Sequence, residues 1–471
     1  MMRREAVVDE NQTTPVGCLE QPAQKVVLST VGTFGDLHPF IALAKSLQAW
    51  GIKPILAVSE DHLAKALAAK IEAVAIFPSF EEICARMGLR KREAASLLMG
   101  NQRKLFENAI FPDLASSTDK LLALTTDADM IVASSFVLAA PIVAEKRRLP
   151  LVSVVLQPMA FLSALDPPRT GDFWMMARAP VGRLGAAWNR CVYAMYRQVL
   201  QNLYGRAIDQ VRADHGLRAY GGRRMFDASG TAEITLGCYS PHFAPLPLDA
   251  PHNAKLVGFP IFDSESGTES DLDPALSAFL SAGPPPLVFT LGTFATHAAG
   301  AFYDQASEIS RRLGMRAILL TGRESVAQSD PSIFECTYAP HSRIFPNAAA
   351  IIHHGGIGTT GQALRAGKPQ LVVPHMGDQN DHARRIVQLG VGLTIKPVRF
   401  TINEAIAVLS TLLSNQDIRY EAMRIGAFIA AEDAPAAATS FIAQELRRHA
   451  DAKAVCKHGQ PLRGGGGGLF I

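Results

Sequence analysis

Little in this chain of 471 residues advertises a partner. Its net charge is only +3, too small for the extended positive field that gathers nucleic acid, so no nucleic-acid partner is expected. No CxxC pair occurs among its six cysteines, Cys18, Cys84, Cys191, Cys238, Cys336 and Cys456. Without metal-like spacing either, they suit reduced thiols in a cytoplasm better than a disulfide framework. Long apolar runs are missing as well. The longest, MIVASSFVLAAPIVA from Met130, is shorter than the roughly 18 residues of a membrane helix and carries serines and a proline, so it reads as a buried strand running into a helix. The N-terminal MMRREAVVDENQTTPVG lacks an apolar h-region and is expected to be a polar tail rather than a signal peptide.

What is present is alternation. The length suggests two domains of about 200 residues each. KVVLSTVG reads as a strand, TFGD as a glycine turn, and LHPFIALAKSLQAWG as a helix with Pro39 in its first turn and Gly51 closing it. KPILAVS, DMIVASS and LPLVSVVL continue a doubly wound pattern. Proline, glycine and acidic residues then thicken between 240 and 286, marking an interdomain connection, with LVGFPIF inside it a candidate first strand of the next domain. A second series follows in PLVFTLGT, FYDQASEISRRLG and AILLTG. The last glycine-rich stretch, KHGQPLRGGGGGLFI, is low in complexity and expected to be disordered.

Residues 353–360, HHGGIGTT, are poor material for a core. The apolar 348–352 before them suits a strand, TTGQALRAG after them a helix ending at Gly367, and QLVVP a second strand. Such a βαβ unit holds its glycine loop at the carboxyl edge of a parallel sheet. Glycines allow close approach to the backbone, and the helix start offers free N–H groups and partial positive charge, so the expected ligand is a phosphate. His354 adds a donor, and Thr359 or Thr360 a hydroxyl. A tight turn with a capping threonine would look the same in isolation. One step on, HMGDQND puts Asp378 and Gln379 at a strand end, where they suit hydroxyl groups or simply form a turn. One step earlier, TYAPHSRIF brings in Tyr338, as a ring stacked on a base or as a half-buried anchor.

In that order, aromatic-Ala-Pro, HGGIGT and DQ resemble the signature of the inverting family 1 glycosyltransferases of GT-B fold, which move a sugar from a nucleotide diphosphate to an acceptor hydroxyl. The resemblance runs from Lys25 to about residue 445. HHGGIGTT with LRAGKPQLVVP is similar to the sterol and glycopeptide-aglycone glucosyltransferases. VGFPIFD, PLVFTLGT and FYDQASEISRRLG are similar to the rhamnolipid-forming rhamnosyltransferases. The resemblance implies an α/β chain of two Rossmann-like, doubly wound parallel-sheet domains facing across a cleft. Its expected parts are a disordered tail 1–24, an acceptor-binding domain 25–245, a linker region 246–286, a nucleotide-sugar domain 287–430, a closing helix 431–450 and a disordered tail 451–471.

Carried over by position, the resemblance implies that Tyr338 stacks on the base and His354 contacts the diphosphate. Residues 356–359, with Gly356, Gly358 and Thr359, cradle the phosphates, Thr293 lies near them, and Asp378 and Gln379 read sugar hydroxyls. Gln362 stands where plant members carry a ribose-binding glutamate, and His341 where they have glutamine. GTFGDLHP resembles the GxxGDxxP form of the family, in which Asp36 replaces the plant histidine as the base. An alcohol is too weak an acid to ionise at pH 7, so a carboxylate helps by taking its proton as the glycosidic bond forms. Without the family, Asp36 reads as the N-cap of a helix starting at Leu37, and His38, two residues on, as an alternative base or as a residue that caps or packs.

No DxD-like acidic pair stands near the glycine loop, so transfer without metal or cofactor is expected. The co-substrate is a nucleotide sugar, UDP-glucose or a dTDP-sugar such as dTDP-rhamnose. For the acceptor, the segment 169–224 mixes tryptophan, methionine and phenylalanine with ten arginines against three aspartates. It suits a pair of helices lining a hydrophobic acceptor pocket, with Trp174 and Met175 as contacts. It equally suits a basic aromatic face resting on the inner side of a membrane, or a solvated amphipathic helix. A nucleotide-sugar 2-epimerase and a non-catalytic donor-binding protein are the competing classes.

Overall fold

A computed structural model describes residues 23–170, 173–178, 181–225, 231–264, 272–292, 299–322 and 330–458. Strands of a parallel sheet are covered on both faces, so their sequences are apolar without alternation. VVLS, PILAVS, MIVAS and LVSVV obey this rule, being buried throughout. They belong to β1 (Lys25–Ser29), β2 (Lys53–Ser59), β4 (Met130–Ser134) and β5 (Leu151–Val155). With β3 (Glu72–Phe77), β6 (Ile234–Gly237) and β7 (Ala254–Leu256) they form a seven-stranded parallel sheet in the order β3-β2-β1-β4-β5-β6-β7. Successive side chains leave opposite faces. Val26 and Leu28 therefore enter one core with Leu37, Leu43 and Leu47, while Val27 enters another with Ile131 and Ile142.

The second sheet contains β8 (Leu287–Thr290), β9 (Ala317–Leu320), β10 (Ile333–Cys336), β11 (Ala350–His353), β12 (Gln370–Val372) and β13 (Gly392–Thr394). Its order is β10-β9-β8-β11-β12-β13, again parallel throughout. Each sheet reverses its strand order once, between β1 and β4 and between β8 and β11. Ligands of open parallel sheets lie outside the carboxyl ends of the strands at such reversals.

Four expectations change. The stretch 246–286 is no plain connection: β7 pairs with β6 and completes the first sheet, and LVGFPIF opens no new strand beyond Leu256. Three strand residues among prolines are too few to show a period. Downstream, Asp273 caps the helix Pro274–Ser281, whose Leu276 packs in the second domain with Val288 and Ile318. The first helix is Phe34–Ala49, starting three residues early because Thr33 caps it, and this puts Pro39 inside the helix beyond its first turn. Segment 169–224 folds around one helix of 32 residues, Arg183–Asp214, rather than a pair. Finally, the closing helix is Ala434–His458 and takes up the first residues of the expected tail; KAVCKH contains no breaker before Gly459. The closing helix returns to the first domain, where Ala438, Ile442 and Leu446 join the core of Leu37 and Leu47.

The remaining tail residues, 1–22 and 459–471, lie outside the described residues. Cys84, Cys191, Cys238 and Cys336 are free thiols.

Candidate active site

Both reversal points carry the motifs singled out by sequence. Beyond β1, the hydroxyl oxygen of Thr33 accepts the Gly35 N–H at 3.3 Å, and Asp36 Oδ2 accepts the Thr33 N–H at 2.8 Å. Asp36 is thus the third helical residue of a capping box and not the N-cap. Gly32 makes this turn possible: at φ +132° it leaves room for the carboxylate, which lies 2.2 Å from where a Cβ would stand. Burial pushes the Asp36 carboxyl up to about 6 against the lowering effect of the Thr33 N–H, and the charge of Asp378 raises it further. Burial also pushes Asp378 up. Two carboxyls from opposite domains therefore share one field.

His38 does not compete with Asp36. Its ring stacks on Phe34 at 5.6 Å, and its Nε2 accepts from Lys65 Nζ at 3.1 Å. Burial first and then Lys65 push its pKa down to about 3. Lys65 also donates to the Ser264 carbonyl at 3.0 Å, joining the first domain to the connection.

Beyond β11, the two histidines of HHGG divide the work. His353 Nδ1 accepts the Gly355 N–H at 3.1 Å, so its Nε2–H donates to Gln370 Oε1 at 2.9 Å. His382 Nδ1–H donates to the Gly355 carbonyl at 2.8 Å from the far side. The loop is pinned by those two, and His354 is left over. Its ring lies between two glycines: a Cβ on Gly292 would stand 2.6 Å from Cε1, and one on Gly356 would stand 2.4 Å from Nε2. His354 Nδ1 is buried with no hydrogen-bond partner among the described residues, a state that costs about 1–3 kcal/mol unless a ligand relieves it. Burial pushes His354 down to about 3, so it meets a ligand as neutral imidazole.

Gly356 caps the helix Ile357–Arg365 with no side chain, leaving the first-turn N–H groups unclaimed. Gly358 faces the start of the first helix, a Cβ there lying 3.9 Å from the Gly35 Cα. Two helix N-termini from different domains confront each other, with Asp36 in one of them. Thr359 and Thr360 are buried on the inner side of the glycine-loop helix, Thr360 Oγ1 without a partner, and Gln362 is half-buried on the same helix.

Asp378 starts the helix Gln379–Gln388. Gln379 proves less free than its sequence suggests, because its Oε1 accepts the N–H groups of His375 and Met376 at 2.8 and 3.2 Å. Only its Nε2 remains for a ligand. Tyr338 donates its hydroxyl to Asp263 Oδ1 at 2.9 Å, and His341 stacks on Phe345 at 4.4 Å and on Tyr338 at 6.4 Å. Burial lowers the His341 pKa and Asp263 opposes that effect. Asp263 was not singled out by sequence; its only signal was its place at the end of VGFPIFD. Trp174 is 78% exposed and Met175 41%, so they line no enclosed pocket. Their neighbours Phe173 and Met176 turn inward against Val192 and Tyr193 of the long helix. Thr293 lies outside the described residues.

Residues 317–446, which hold Tyr338, the glycine loop and Asp378, match the erythromycin biosynthesis protein CIII-like C-terminal domain. Over 459 residues the chain is 27% identical to the sterol 3-beta-glucosyltransferase of Aspergillus clavatus, covering 93% of this chain and 31% of that protein. The chain thus spans about a third of the length of that relative. It is 25% identical over 418 residues to the O-mycaminosyltylonolide 6-deoxyallosyltransferase of Streptomyces fradiae, covering 87% of this chain and 94% of the relative. The solved glycotransferase of kitacinnamycin superposes with a TM-score of 0.67 at 17% identity, over 90% of this chain and 100% of its own. In fold and in its matched C-terminal domain the chain is similar to the family 1-like glycosyltransferases of GT-B fold. Glycosyltransferase VinC, solved in complex with dTDP, gives a TM-score of 0.65 at 18% identity, over 91% of this chain and 100% of its own. In this chain the two sheets bring their reversal points together where Gly35 meets Gly358.

Proposed function

We propose that the chain transfers a hexose, from UDP-glucose in the first instance, to a hydroxyl of a hydrophobic small-molecule or lipid acceptor, with inversion and without metal or cofactor. The observation that carries this reading is the confrontation of Asp36 with the start of the glycine-loop helix. The diphosphate lies against the N–H groups beyond Gly356 and the neutral His354, Tyr338 and His341 stand at the base, and Gln362 at the ribose. Thr293 adds to the phosphate contacts, and Asp378 with the Gln379 amide reads the sugar.

As the bond from the anomeric carbon to the phosphate oxygen breaks, the sugar gains oxocarbenium character and the diphosphate gains charge. Donors fixed where that charge develops lower the barrier rather than merely tightening binding. The acceptor oxygen bonds to the anomeric carbon from the opposite face while Asp36 takes its proton. Displacement from that side turns an α-linked donor into a β-glycoside.

A second reading, a dTDP-deoxyhexose donor such as dTDP-rhamnose with a hydroxy fatty acid lipid as acceptor, draws support from two relatives. One covered at 94% of its length is a 6-deoxyallosyltransferase, and the spinosyn rhamnosyltransferase SpnG, with a TM-score of 0.61, was solved with thymidine diphosphate. Thermal shift with UDP-glucose, UDP-galactose, UDP-N-acetylglucosamine and dTDP-rhamnose separates the two, since a ligand at 100 times its Kd adds about 2.7 kcal/mol. Product analysis then follows with sterol and hydroxy fatty acid acceptors. No shift with any donor sinks the proposal, donor isomerisation without acceptor replaces it by a 2-epimerase, and binding without turnover replaces it by a non-catalytic donor-binding protein.

Peripheral membrane contact belongs to the same reading. No helix among the described residues is long and apolar enough to cross a bilayer. Leu184, Trp188, Met195, Val199 and Leu203 are exposed at helical spacing on the long helix. No acidic residue occurs from Phe173 to Ile208, whereas Arg178, Arg183, Arg190, Arg197 and Arg206 do. Sedimentation with anionic vesicles that is unchanged when those arginines are neutralised removes the membrane contact.

A further inference from the structure

The helix that begins at Asp378 is anchored, one turn in, to the opposite domain. Asp381 is fully buried and accepts Arg385 Nε at 2.7 Å and Arg384 Nη2 at 2.7 Å. The same guanidinium groups reach across to Asp166 of the first domain, Arg385 Nη2 at 2.7 Å and Arg384 Nη2 at 3.2 Å. The backbone N–H of Arg169 adds a bond to Asp381 Oδ1 at 3.3 Å. Two carboxylates and two guanidinium groups thus balance within one interdomain cluster.

Asp166 is itself held in place. Ser163 Oγ accepts the Asp166 N–H at 2.9 Å, and Asp249 accepts the Ala164 N–H at 2.8 Å. Asn189 of the long helix donates to the Ala164 carbonyl at 2.8 Å and accepts the Ala177 N–H at 2.7 Å. Tyr193 of the same helix donates to the Ser163 carbonyl at 3.2 Å. One unbroken polar chain therefore runs from the segment 173–178 through 163–169 to the turn of helix behind Asp378 and Gln379.

An ion cluster built on the buried Asp381 and Arg385, with Asp166 partly exposed at its edge, adds little net stability over apolar packing, yet losing one member leaves the buried charges undercompensated. It therefore selects one relative position of its two sides. We infer that Asp166 is a positioning residue for sugar transfer. Its bridge to Arg384 and Arg385 fixes the closed register of the domains, so that Asp378 and Gln379 hold the sugar opposite Asp36 while water is kept out. The inference rests on the proposed glycosyl transfer. With the bridge lost, the donor still binds to the second domain, but water competes with the acceptor. The water oxygen bonds to the anomeric carbon, the phosphate oxygen leaves, Asp36 takes the proton, and free sugar appears in place of glycoside.

The test compares the intact chain with Asp166→Asn, Asp166→Ala and Asp166→Glu, using the donor and acceptor that the wild type turns over. Transfer turnover of the Asn and Ala variants is expected to fall about 10- to 100-fold, with donor Kd by calorimetry kept within about threefold. The ratio of free sugar to glycoside is expected to rise, and Asp166→Glu to recover part of the loss. If Asp166→Ala does not fold, the isosteric Asn variant with an unchanged melting temperature carries the test. A wild-type product ratio and turnover in Asp166→Asn overturn the inference. So does a turnover loss matched by an equal loss of donor affinity at an unchanged product ratio, since the cluster then only shapes the donor domain. A wild type that transfers no sugar from any donor refutes the proposed function instead.

Discussion

Asp36 caps a helix and, in the proposed reaction, accepts a proton; both tasks want its carboxylate ionised, and burial opposes them. Its folded pKa of about 6 lies above that of an unfolded aspartate, so the folded chain favours the protonated form. The sign follows: the penalty is absent below about pH 4, grows between about pH 4 and 6, and is complete above that. Asp36→Asn is accordingly expected to melt higher than wild type at pH 7.5 and to lose this advantage by about pH 4, which a series of thermal melts reads directly. The same substitution is expected to leave nucleotide-sugar binding intact while lowering turnover by at least about 100-fold. In the wild type, kcat/KM is expected to climb with pH until about 6 and then level off; a flat profile from pH 5 to 7 would remove Asp36 from the role of base. His354→Ala is expected to lower kcat by about 10²- to 10³-fold, as loss of one oxyanion donor does. A kinetic comparison at saturating donor checks it.

Among the elements, the start of the glycine-loop helix sets the working distance. Gly292→Ala and Gly356→Ala would each drive a methyl into the His354 ring, at 2.6 and 2.4 Å, whereas Gly358→Ala meets only Gly35 at 3.9 Å. The first two are expected to lower both melting temperature and donor affinity. Gly358→Ala should leave the melt unchanged while raising the donor KM, because its methyl occupies the opening between the two helices. Equal effects of all three on stability and KM would show that the gap between the helix ends is not where the donor lies. The strand-loop-helix units around these glycines were legible because apolar runs and glycine stops mark them. The early start of the first helix was not, since the capping box needs Asp36 folded back onto Thr33 and glycine at position 35 looks like a turn.

On the scale of the molecule, the closing helix joins the end of the described chain to the first domain. Ile442→Ala, more than 400 residues from β1 in sequence, is expected to destabilise the first domain by about 2–5 kcal/mol through the cavity left beside Leu37 and Leu47. Hydrogen exchange of the β1 and β2 amides would show the loss; a change confined to the second sheet would contradict the packing. The first domain is therefore completed by a helix more than 400 residues after β1.

Two parallel sheets, the loops that follow β1 and β11, and the chemical types gathered there were set by local sequence, because the period of apolar residues and the stops at glycine and proline are short-range properties. Other features depended on contacts between distant residues. Only the tertiary structure revealed that β7 belongs to the first sheet, that His353 is structural while His354 is free for a ligand, and that the oxygen of Gln379 is already used. It likewise brought Asp263 to Tyr338 and Asp166 to Arg384 and Arg385. Those pairs lie 75, 218 and 219 positions apart. No local pattern records which buried charge will find which partner, since that choice is made by the packing of whole domains.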